Sequence, residues 1–316
     1  MDRLASARPK RLDTRVPTTN RVVAPLTRNP SGNELERAVD EPDWVPEGVD
    51  TSIPSVARTY DYLLGGAHNL AVDRRMADEM LRVLPGARHL VRLNRSFLRR
   101  AVTHLVRRGV RQFLDIGSGI PTAGNVHEVA RAHAPDCRVV YVDKDPVAVA
   151  HSRMLLAGDE RTDVVLADLR DPEDVLGRPE VKGLLDLDQP VALLLLLVVH
   201  FLTDEEDPVG LLGRYRDRLA PGSFLVVSHA TDDRRAETMR RAADTVRRAR
   251  SRDNLVYRDR AEVTALFTGY ELEEPGVVGC ALWRPDGAGS MADTPEDNTQ
   301  VYVGVGRKPA PGERGT

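Results

Sequence analysis

Residues 112–122 of the chain read QFLDIGSGIPT, and this stretch decides the fold. Its first half, residues 113–116, is a short apolar run of the kind found in a strand that is buried on both faces. Gly117, Ser118 and Gly119 then interrupt the run, and a helical pattern opens at about residue 123. Glycine permits backbone conformations in which main-chain N–H groups approach a ligand closely. The stretch therefore predicts a strand, a glycine turn suited to a ligand, and a helix.

Downstream of this turn, strand and helix patterns alternate. Strands are predicted by short apolar runs over residues 138–142, 163–166, 191–199 and 224–228. Helices are predicted over residues 125–133, 146–156, 209–219, 233–250 and 260–267. Because strands that alternate with helices are joined by right-handed crossovers, these elements predict a parallel sheet. Two closing strands over residues 276–283 and 300–306 have no helix between them, which predicts an antiparallel hairpin at the sheet edge.

Upstream of residue 110, the pattern is helical. Apolar residues at helical spacing predict helices over residues 55–64, 71–83 and 89–107. The arginines of the third helix, including Arg95 and Arg100, are interpreted as a solvent-exposed face. We therefore expect a helical cap over residues 46–110, contiguous with an α/β domain over residues 111–309. Residues 1–45 are basic and aperiodic, which is typical of a disordered tail, and residues 310–316 are expected to form a flexible C-terminal tail.

Composition argues against several classes of function. The 316 residues carry a formal net charge of −3, so bulk charge gives no reason to expect a nucleic acid or a membrane as a partner. Cys137 and Cys280 stand outside any metal-binding spacing, which argues against a structural zinc site and favours a reducing compartment. The longest apolar run has nine residues, well short of the roughly 20 that span a bilayer. Without the apolar core of a secretory signal, a cytoplasmic location is expected.

Acidic residues mark the ends of the first three predicted strands. Asp115 precedes the glycine turn, Asp143 ends the second strand and Asp168 follows the third. In a doubly wound sheet, ligands bind at the carboxyl ends of the strands, where the strand order reverses. A nucleoside fits this layout, because the glycines admit the ligand and a carboxylate on the second strand accepts hydrogen bonds from ribose hydroxyls. The end of the third strand is then expected beside the base.

The glycine turn departs from the dinucleotide-binding fingerprint. That fingerprint requires G-x-G-x-x-G, and Thr122 stands where the third glycine would allow a pyrophosphate to reach the helix N-terminus. NAD and FAD are therefore disfavoured, and the sequence contains no P-loop motif. The pattern D-x-G-x-G instead suits S-adenosylmethionine, which has no phosphate to hold. An NAD-dependent oxidoreductase is the weaker alternative.

Several longer motifs resemble those of one known family. They are SVARTYDYLLGGAHNLAVDR at residues 55–74, LDIGSGIPTAGNVHEVA at 114–130, VVYVDKDPVAVAHSR at 139–153, LLVVHFLTDEEDP at 196–208, WRPD at 283–286 and VGRKP at 305–309. Together they resemble the actinobacterial S-adenosylmethionine-dependent methyltransferase family long catalogued as a domain of unknown function, over about residues 52–309. The resemblance implies a Rossmann-like class I methyltransferase fold, with seven strands in the order 3-2-1-4-5-7-6.

The resemblance also implies a site for S-adenosylmethionine. The glycine turn and Asp115 are expected beside the methionine part of the cofactor, and Asp143 at the ribose hydroxyls. Asp168 and Leu169 are expected at the edge of the adenine. The complete set of candidate cofactor-binding residues is Tyr60, His68, Asp115, Gly117, Ser118, Gly119, Asp143, Lys144, Asp168 and Leu169.

The chain departs from the family at one motif. The family reads YDYLLGGKDN, whereas Ala67 and His68 stand here in place of the Lys-Asp pair. If that lysine holds the cofactor carboxylate or a substrate, this chain must do so differently. The departure keeps a second hypothesis open, namely a regulatory protein that binds the cofactor without turnover.

Methyl transfer to a small molecule is the leading hypothesis. Displacement at a sulfonium methyl depends mainly on proximity, alignment and desolvation, so a dedicated base is not required. His200, after the fourth strand, is the candidate general base, since a neutral imidazole suits that role at pH 7. No [DN]-P-P-[YF] motif follows that strand, which argues against methylation of adenine N6, cytosine N4 or a glutamine amide. A small molecule is therefore the expected acceptor.

Overall fold

The structure, a computed structural model, describes residues 45–46, 49–121, 124–249, 253–285 and 299–312. The predicted N-terminal tail falls almost entirely outside these ranges. Thr122 of the predicted turn, most of the loop between the two predicted closing strands, and residues 313–316 of the predicted C-terminal tail also lie outside them.

The described residues contain a sheet of eight strands. These are β1 Gln112–Ile116, β2 Arg138–Asp143, β3 Thr162–Leu166, β4 Val191–Leu196, β5 Phe224–Ala230, β6 Glu271–Leu272, β7 Val278–Gly279 and β8 Val301–Arg307. Their order is β3-β2-β1-β4-β5-β8-β6, with β7 also paired to β8. β1 to β5 run parallel, and β8 is antiparallel to its neighbours. β1 and β5 are buried at every position, which accounts for their mainly apolar sequences.

The predicted class I methyltransferase fold is confirmed, with one difference at the sixth strand. The last strand of the chain, β8, lies between β5 and β6, as the order 5-7-6 requires. The predicted strand over residues 276–283 is wrong in its bounds, since two short strands, β6 and β7, take its place in the sheet. Between them, the Gly276 N–H donates to the Glu273 carbonyl in a turn that contains Pro275. Proline has no N–H to give to a strand ladder, so the strand is interrupted there.

Ten α-helices accompany the sheet in the described ranges. They are α1 Val56–Leu64, α2 Ala71–Val83, α3 Ala87–Arg107, α4 Val126–Arg131, α5 Pro146–Leu155, α6 Pro172–Gly177, α7 Pro179–Leu184, α8 Pro208–Arg218, α9 Ala236–Arg248 and α10 Arg260–Ala265. α6 and α7 have six residues each, too few to give a readable helical period in the sequence. Within the described part of the chain, no helix has the length and apolar character needed to cross a bilayer.

The helices form two layers and a cap. One face of the sheet packs against α3 and α4, and the other against α6, α7, α8 and α10. A separate apolar cluster joins α1, α2 and the start of α3 to Met239 of α9. The cap is tied to the carboxyl edge of the sheet, because the Ser55 hydroxyl donates to Asp145, which also caps the N-terminus of α5.

The fourth strand ends earlier than its apolar run predicts. β4 stops at Leu196, and the chain then turns at Leu197, whose φ of 54° lies in the left-handed region. The Leu197 N–H donates to both the carbonyl and the hydroxyl of Ser228 on β5, which holds this conformation. A 3₁₀ turn over Val199–Phe201 follows. Hydrophobicity alone does not reveal this turn, because Leu197, Val198 and Val199 continue the apolar run.

Candidate active site

A cleft opens at the carboxyl ends of β1, β2 and β3. The cap contributes Val56, Tyr60, Asn94 and Arg95 to its wall. Of the predicted cofactor-binding residues, those that line the cleft are Tyr60, Asp115, Gly117, Ser118, Gly119, Asp143, Lys144, Asp168 and Leu169. These residues are far apart in the sequence but meet here because parallel strands place their carboxyl ends at one edge of the sheet.

The glycine turn is held in place by the neighbouring strand β2. The N–H groups of Gly117 and Ser118 donate to the Val142 carbonyl, at 2.8 and 3.2 Å. Gly117 and Gly119 have φ values of 71° and 65°, which residues with a Cβ adopt only at a cost. A Cβ at Gly117 would lie 2.5 Å from Cγ2 of Val198, whereas one at Gly119 would meet no atom within 4 Å. The turn is therefore packed closely on one side and open at Gly119.

Asp143 connects the second strand to the turn. Its Oδ2 accepts the Gly119 N–H at 2.7 Å, and its Oδ1 accepts the Asp145 N–H at 2.9 Å. Burial raises the pKa of Asp143 to about 6, although the two N–H donors act in the opposite direction. Each carboxylate oxygen has a second lone pair, so the group can still accept hydrogen bonds from hydroxyls in the cleft.

Asp115 is the second buried carboxyl group of the cleft. It is 6% exposed, and burial raises its pKa to about 7. The positive charge of Arg95 lowers this pKa, and the negative charge of Asp143 raises it. A carboxyl group with this pKa is ready to ionise next to a cation, because the added positive charge favours the carboxylate.

Two arginines of α3 contradict the solvent-exposed face predicted for that helix. Arg95 lines the cleft and donates to the Gly124 carbonyl and to Oδ1 of Asn125, at 3.1 and 3.2 Å. Arg100 is buried and donates to the carbonyls of Trp283 and Cys280. The helical period places both beside exposed positions, and only the folded chain reveals the groups that they meet. Arg95 is thus a cleft residue that the sequence pattern does not reveal.

Asp168 and Leu169, which are predicted at the adenine, and the candidate Lys144 lie along the far edge of the cleft. Asp168 forms an ion pair with Arg170, and its Oδ1 accepts the Arg170 N–H at 3.0 Å. The Leu169 side chain is buried, and its carbonyl accepts the Tyr215 hydroxyl at 2.9 Å. Lys144 pairs with Asp253 at 2.5 Å. The apolar side chain of Leu169 suits the face of a base, whereas both charged residues are engaged by partners.

Tyr60 is fixed by a chain of hydrogen bonds that crosses the fold. The Ser228 hydroxyl donates to Oδ1 of Asn94, and Nδ2 of Asn94 donates to the Tyr60 hydroxyl at 3.1 Å. The Tyr60 hydroxyl in turn donates to the Val91 carbonyl at 3.3 Å. Since the same Ser228 hydroxyl accepts the Leu197 N–H, one network sets both Tyr60 and the turn after β4.

Two predicted site residues lie outside the cleft. His68 is not one of the described residues that line it. Its ring lies against that of His151, tilted by 40° with a centroid distance of 3.7 Å, and its backbone N–H donates to Asp61. Ala67 does not line the cleft either. The departure from the family motif therefore lies away from the cleft, and Arg95 supplies a cation within it. His200 faces a second cavity instead.

The second cavity adjoins the cleft. The two share Val56, Tyr60, Leu197 and Phe201 as lining residues. Other described residues that line the second cavity are mostly apolar side chains of the cap and of α9. His200 is 5% exposed, and its pKa is well below the usual value because of burial and the proximity of His229 and Arg258. The imidazole is therefore neutral near pH 7.

The cleft has the features that S-adenosylmethionine requires. The buried hydroxyl of Ser118 has no hydrogen-bond partner within the described ranges. Beside it lie the open position at Gly119 and two carboxyl groups, which suit a ligand that carries both hydroxyls and positive charge. Buried polar groups are normally satisfied by a partner, so the free hydroxyl indicates a polar ligand.

Comparison with known proteins gives a consistent result. The sequence model of a family described as S-adenosyl methyltransferase matches residues 42–309. A DUF574 family protein from Streptomyces avermitilis is 40% identical, with 82% of this chain and 99% of that chain covered and a TM-score of 0.78. A protein from Thermobifida fusca, named provisionally as a methyltransferase, is also 40% identical, with 85% and 100% covered and a TM-score of 0.80. No curated protein matches the chain.

These matches confirm the family that the sequence motifs indicated. They also confirm the predicted enzyme class, a methyltransferase, and its cofactor, S-adenosylmethionine. The weaker alternative of an NAD-dependent oxidoreductase is thereby set aside.

Proposed function

Because the chain belongs to the S-adenosyl methyltransferase family, we propose that it binds S-adenosylmethionine in the cleft and transfers the methyl group to a small-molecule acceptor. One observation carries the proposal: the carboxyl ends of three parallel strands bring Asp115, the glycine turn, Asp143 and Leu169 into a single cleft. A helical cap over residues 46–110, a methyltransferase domain over residues 111–309 and a cytoplasmic location are parts of the same proposal.

We assign roles to the cleft residues from their surroundings. Asp143 accepts hydrogen bonds from the ribose hydroxyls through lone pairs that its backbone donors leave unused. Asp168 and Leu169 border the adenine, and Lys144 lies at the outer edge of the same region. Arg95, which lines the cleft, serves as the cation for the methionine carboxylate.

The methionine end of the cleft holds the remaining predicted contacts. The Ser118 hydroxyl donates to a polar atom of the cofactor, and the open side of Gly119 leaves room for it. Asp115 stabilises positive charge on the bound cofactor, because its carboxyl group lines the cleft. When bound, S-adenosylmethionine supplies a methyl group on a positively charged sulfur.

The chain contributes alignment and exclusion of water to the transfer. Tyr60, Leu197 and Phe201 line both the cleft and the second cavity where the two adjoin, and the hydrogen-bond network around Ser228 fixes Tyr60 and Leu197. Fixed apolar walls keep the reactants in line and dry, which is where most of the acceleration of such a displacement arises. The role of His200 as a general base stays a prediction, and its low pKa makes it a weak base.

Calorimetric titration tests the cofactor assignment. We expect S-adenosylmethionine to bind and NAD to give no heat. Asp143→Ala is expected to weaken binding about 10- to 100-fold, since hydrogen bonds to a charged group contribute about 1.5–3 kcal/mol. Asp136→Ala, at a carboxylate that is 68% exposed, should leave the affinity unchanged. Lack of binding, or equal affinity in the correctly folded Asp143→Ala protein, would contradict the assignment.

Transfer of a labelled methyl group into a metabolite extract distinguishes an enzyme from a regulatory protein. We expect a labelled product of low molecular weight that depends on added protein. A cofactor-binding protein that yields no labelled product from any extract would favour the regulatory alternative.

A further inference from the structure

The second cavity has an unusually simple polar lining. Within the described part of the chain, no Asp, Glu, Lys or Arg side chain lines it. Its polar side chains are Thr59, Tyr60, Tyr257 and His200. The first three are satisfied internally: Thr59 donates to the Ser55 carbonyl, Tyr257 donates to the Met239 carbonyl, and Tyr60 is bonded as described above.

His200 differs from these three residues. Its Nδ1 is completely buried and has no hydrogen-bond partner among the described residues. An unsatisfied buried polar atom costs about 1–3 kcal/mol, so His200, which lines the cavity, has hydrogen-bonding capacity that the free protein does not use. A neutral imidazole carries one donor and one acceptor nitrogen, and it can therefore accept a hydrogen bond from a hydroxyl.

Arg258, whose charge acts on His200, is already engaged. Arg258 is buried and donates to Nε2 of His229 at 3.1 Å, to the Leu202 carbonyl at 3.0 Å and to Asp204 at 2.7 Å. These bonds use the guanidinium within the fold, so Arg258 does not provide a counter-charge for an anionic ligand. A charged molecule in this cavity would thus be desolvated without compensation.

The apolar walls tolerate variation in ligand shape. Met76, Met80 and Met239 line the cavity from α2 and α9. Methionine is flexible and polarizable, and it adapts to ligands of different outline while excluding water. The cavity also shares its wall with the cofactor cleft, so a molecule bound there lies next to the cofactor site.

We propose that this cavity binds the methyl acceptor, and that the acceptor is a neutral, largely apolar small molecule with one hydroxyl group that hydrogen-bonds to His200. The proposal rests on the proposed function, since it assigns the second substrate of the same reaction. It excludes charged acceptors such as amino acids and nucleotides.

Equilibrium dialysis of the full chain, saturated with S-adenosylhomocysteine, tests this proposal with 2-naphthol, naphthalene and 2-naphthoate as probes. We expect 2-naphthol to bind about five- to tenfold more tightly than naphthalene, because of one neutral hydrogen bond. We expect 2-naphthoate to bind at least about 100-fold more weakly than 2-naphthol, because its charge would be desolvated. Equal affinity for the three probes would overturn the proposal.

Two variants separate the hydrogen bond from the shape of the cavity. His200→Phe should abolish the preference for 2-naphthol over naphthalene and leave naphthalene binding unchanged, whereas His133→Phe, at an exposed histidine, should keep the preference. Ala242→Leu, which fills the cavity from α9 without altering His200, should weaken the binding of both probes. A preference for 2-naphthol that survives in His200→Phe would overturn the assignment.

The same protein preparation distinguishes failure of this inference from failure of the proposed function. Calorimetry with S-adenosylmethionine reports on the cleft alone. If the cofactor binds and none of the three probes does, the acceptor assignment is wrong and the cofactor site stands. If the cofactor itself does not bind, the proposed function is wrong.

Discussion

Asp115 occupies a position that lowers the stability of the fold at neutral pH. Its folded-state pKa of about 7 lies above the ordinary value of 3.8, because burial disfavours the carboxylate. The folded state therefore holds its proton more tightly than the unfolded state does. The contribution of Asp115 to stability is fully present below about pH 4 and is lost as the pH rises through about 7. A cation in the cleft would offset this cost, so a buried carboxyl group at this position fits a role in binding a positively charged ligand.

We predict that Asp115→Asn makes the protein more stable at pH 8 and not at pH 4. The folded-state pKa lies about three units above the ordinary value, and each unit corresponds to about 1.4 kcal/mol, so a gain of about 4 kcal/mol in the free energy of unfolding is expected at pH 8. Urea denaturation at the two pH values measures the difference. The same variant should bind S-adenosylmethionine more weakly, because it lacks the negative charge.

Asp136→Asn provides the control for a surface carboxylate. That side chain is 68% exposed, so its loss should change stability by less than about 0.5 kcal/mol at either pH. If Asp115→Asn were destabilising at pH 8, or if it stabilised the protein equally at both pH values, the account of Asp115 would be wrong.

At the scale of elements, the glycine turn offers a matched pair of substitutions. Gly117 and Gly119 have nearly the same positive φ, so alanine at either position carries a similar backbone cost of about 1–2 kcal/mol. They differ in their surroundings, since only Gly117 faces Val198 at close range. Comparing the two substitutions therefore separates the effect of close packing on stability from the effect of ligand contact on affinity.

We predict that Gly117→Ala mainly lowers stability, and that Gly119→Ala mainly lowers cofactor affinity. The Gly117 variant should lose a further ~1–3 kcal/mol through the clash with Val198. The Gly119 variant places its methyl group in the open part of the cleft, where it competes with the ligand. Urea denaturation and calorimetry measure the two effects. Equal losses of affinity in the two variants, after correction for the unfolded fraction, would show that Gly119 does not face the cofactor.

At the scale of the whole molecule, the features that the sequence predicts are those set by local pattern and by parallel topology, namely the position of the cleft and the order of the strands. Asp115, Asp143 and Asp168 lie at or just beyond the carboxyl ends of apolar strands, and parallel strands bring such ends together, so the cleft could be found without coordinates. The last strand, β8, also lies between β5 and β6, as the family resemblance implies. Each of these inferences needs only the order of the elements.

What the sequence does not predict depends on how the cap lies on the sheet. Arg95 reads as one arginine among several on α3, and only the docked cap places it in the cleft. His68 reads as a replacement within a signature motif, yet the fold places its ring against that of His151, outside the cleft. The second cavity is formed by side chains from α1, α2, α3 and α9 together. No local spacing encodes such an assembly.

The junction that holds the cap is a buried ion pair. Nε of Arg58 donates to Oδ2 of Asp73 at 2.7 Å, with side-chain exposures of 3% and 0%. Asp73 also accepts the N–H groups of Ser55 and Leu70, at 2.8 and 2.7 Å. Arg58 lies 3.8 Å from Asp145, beside the strand end that carries Asp143. The pair therefore connects α1, α2 and the carboxyl edge of the sheet.

We predict that Asp73→Asn destabilises the whole protein by about 3–5 kcal/mol, because it removes the buried carboxylate that bonds Arg58 directly and leaves only the more distant Asp145 as a counter-charge. Asp78→Asn, at an exposed residue of the same helix, should change the free energy of unfolding by less than about 0.5 kcal/mol. Chemical denaturation measures both variants. Where Asp73→Asn still folds, cofactor affinity should also fall, since α1 supplies Val56 and Tyr60 to the cleft. If Asp73→Asn had normal stability but bound the cofactor weakly, the ion pair would serve ligand binding and not the stability of the fold, and the prediction would be wrong.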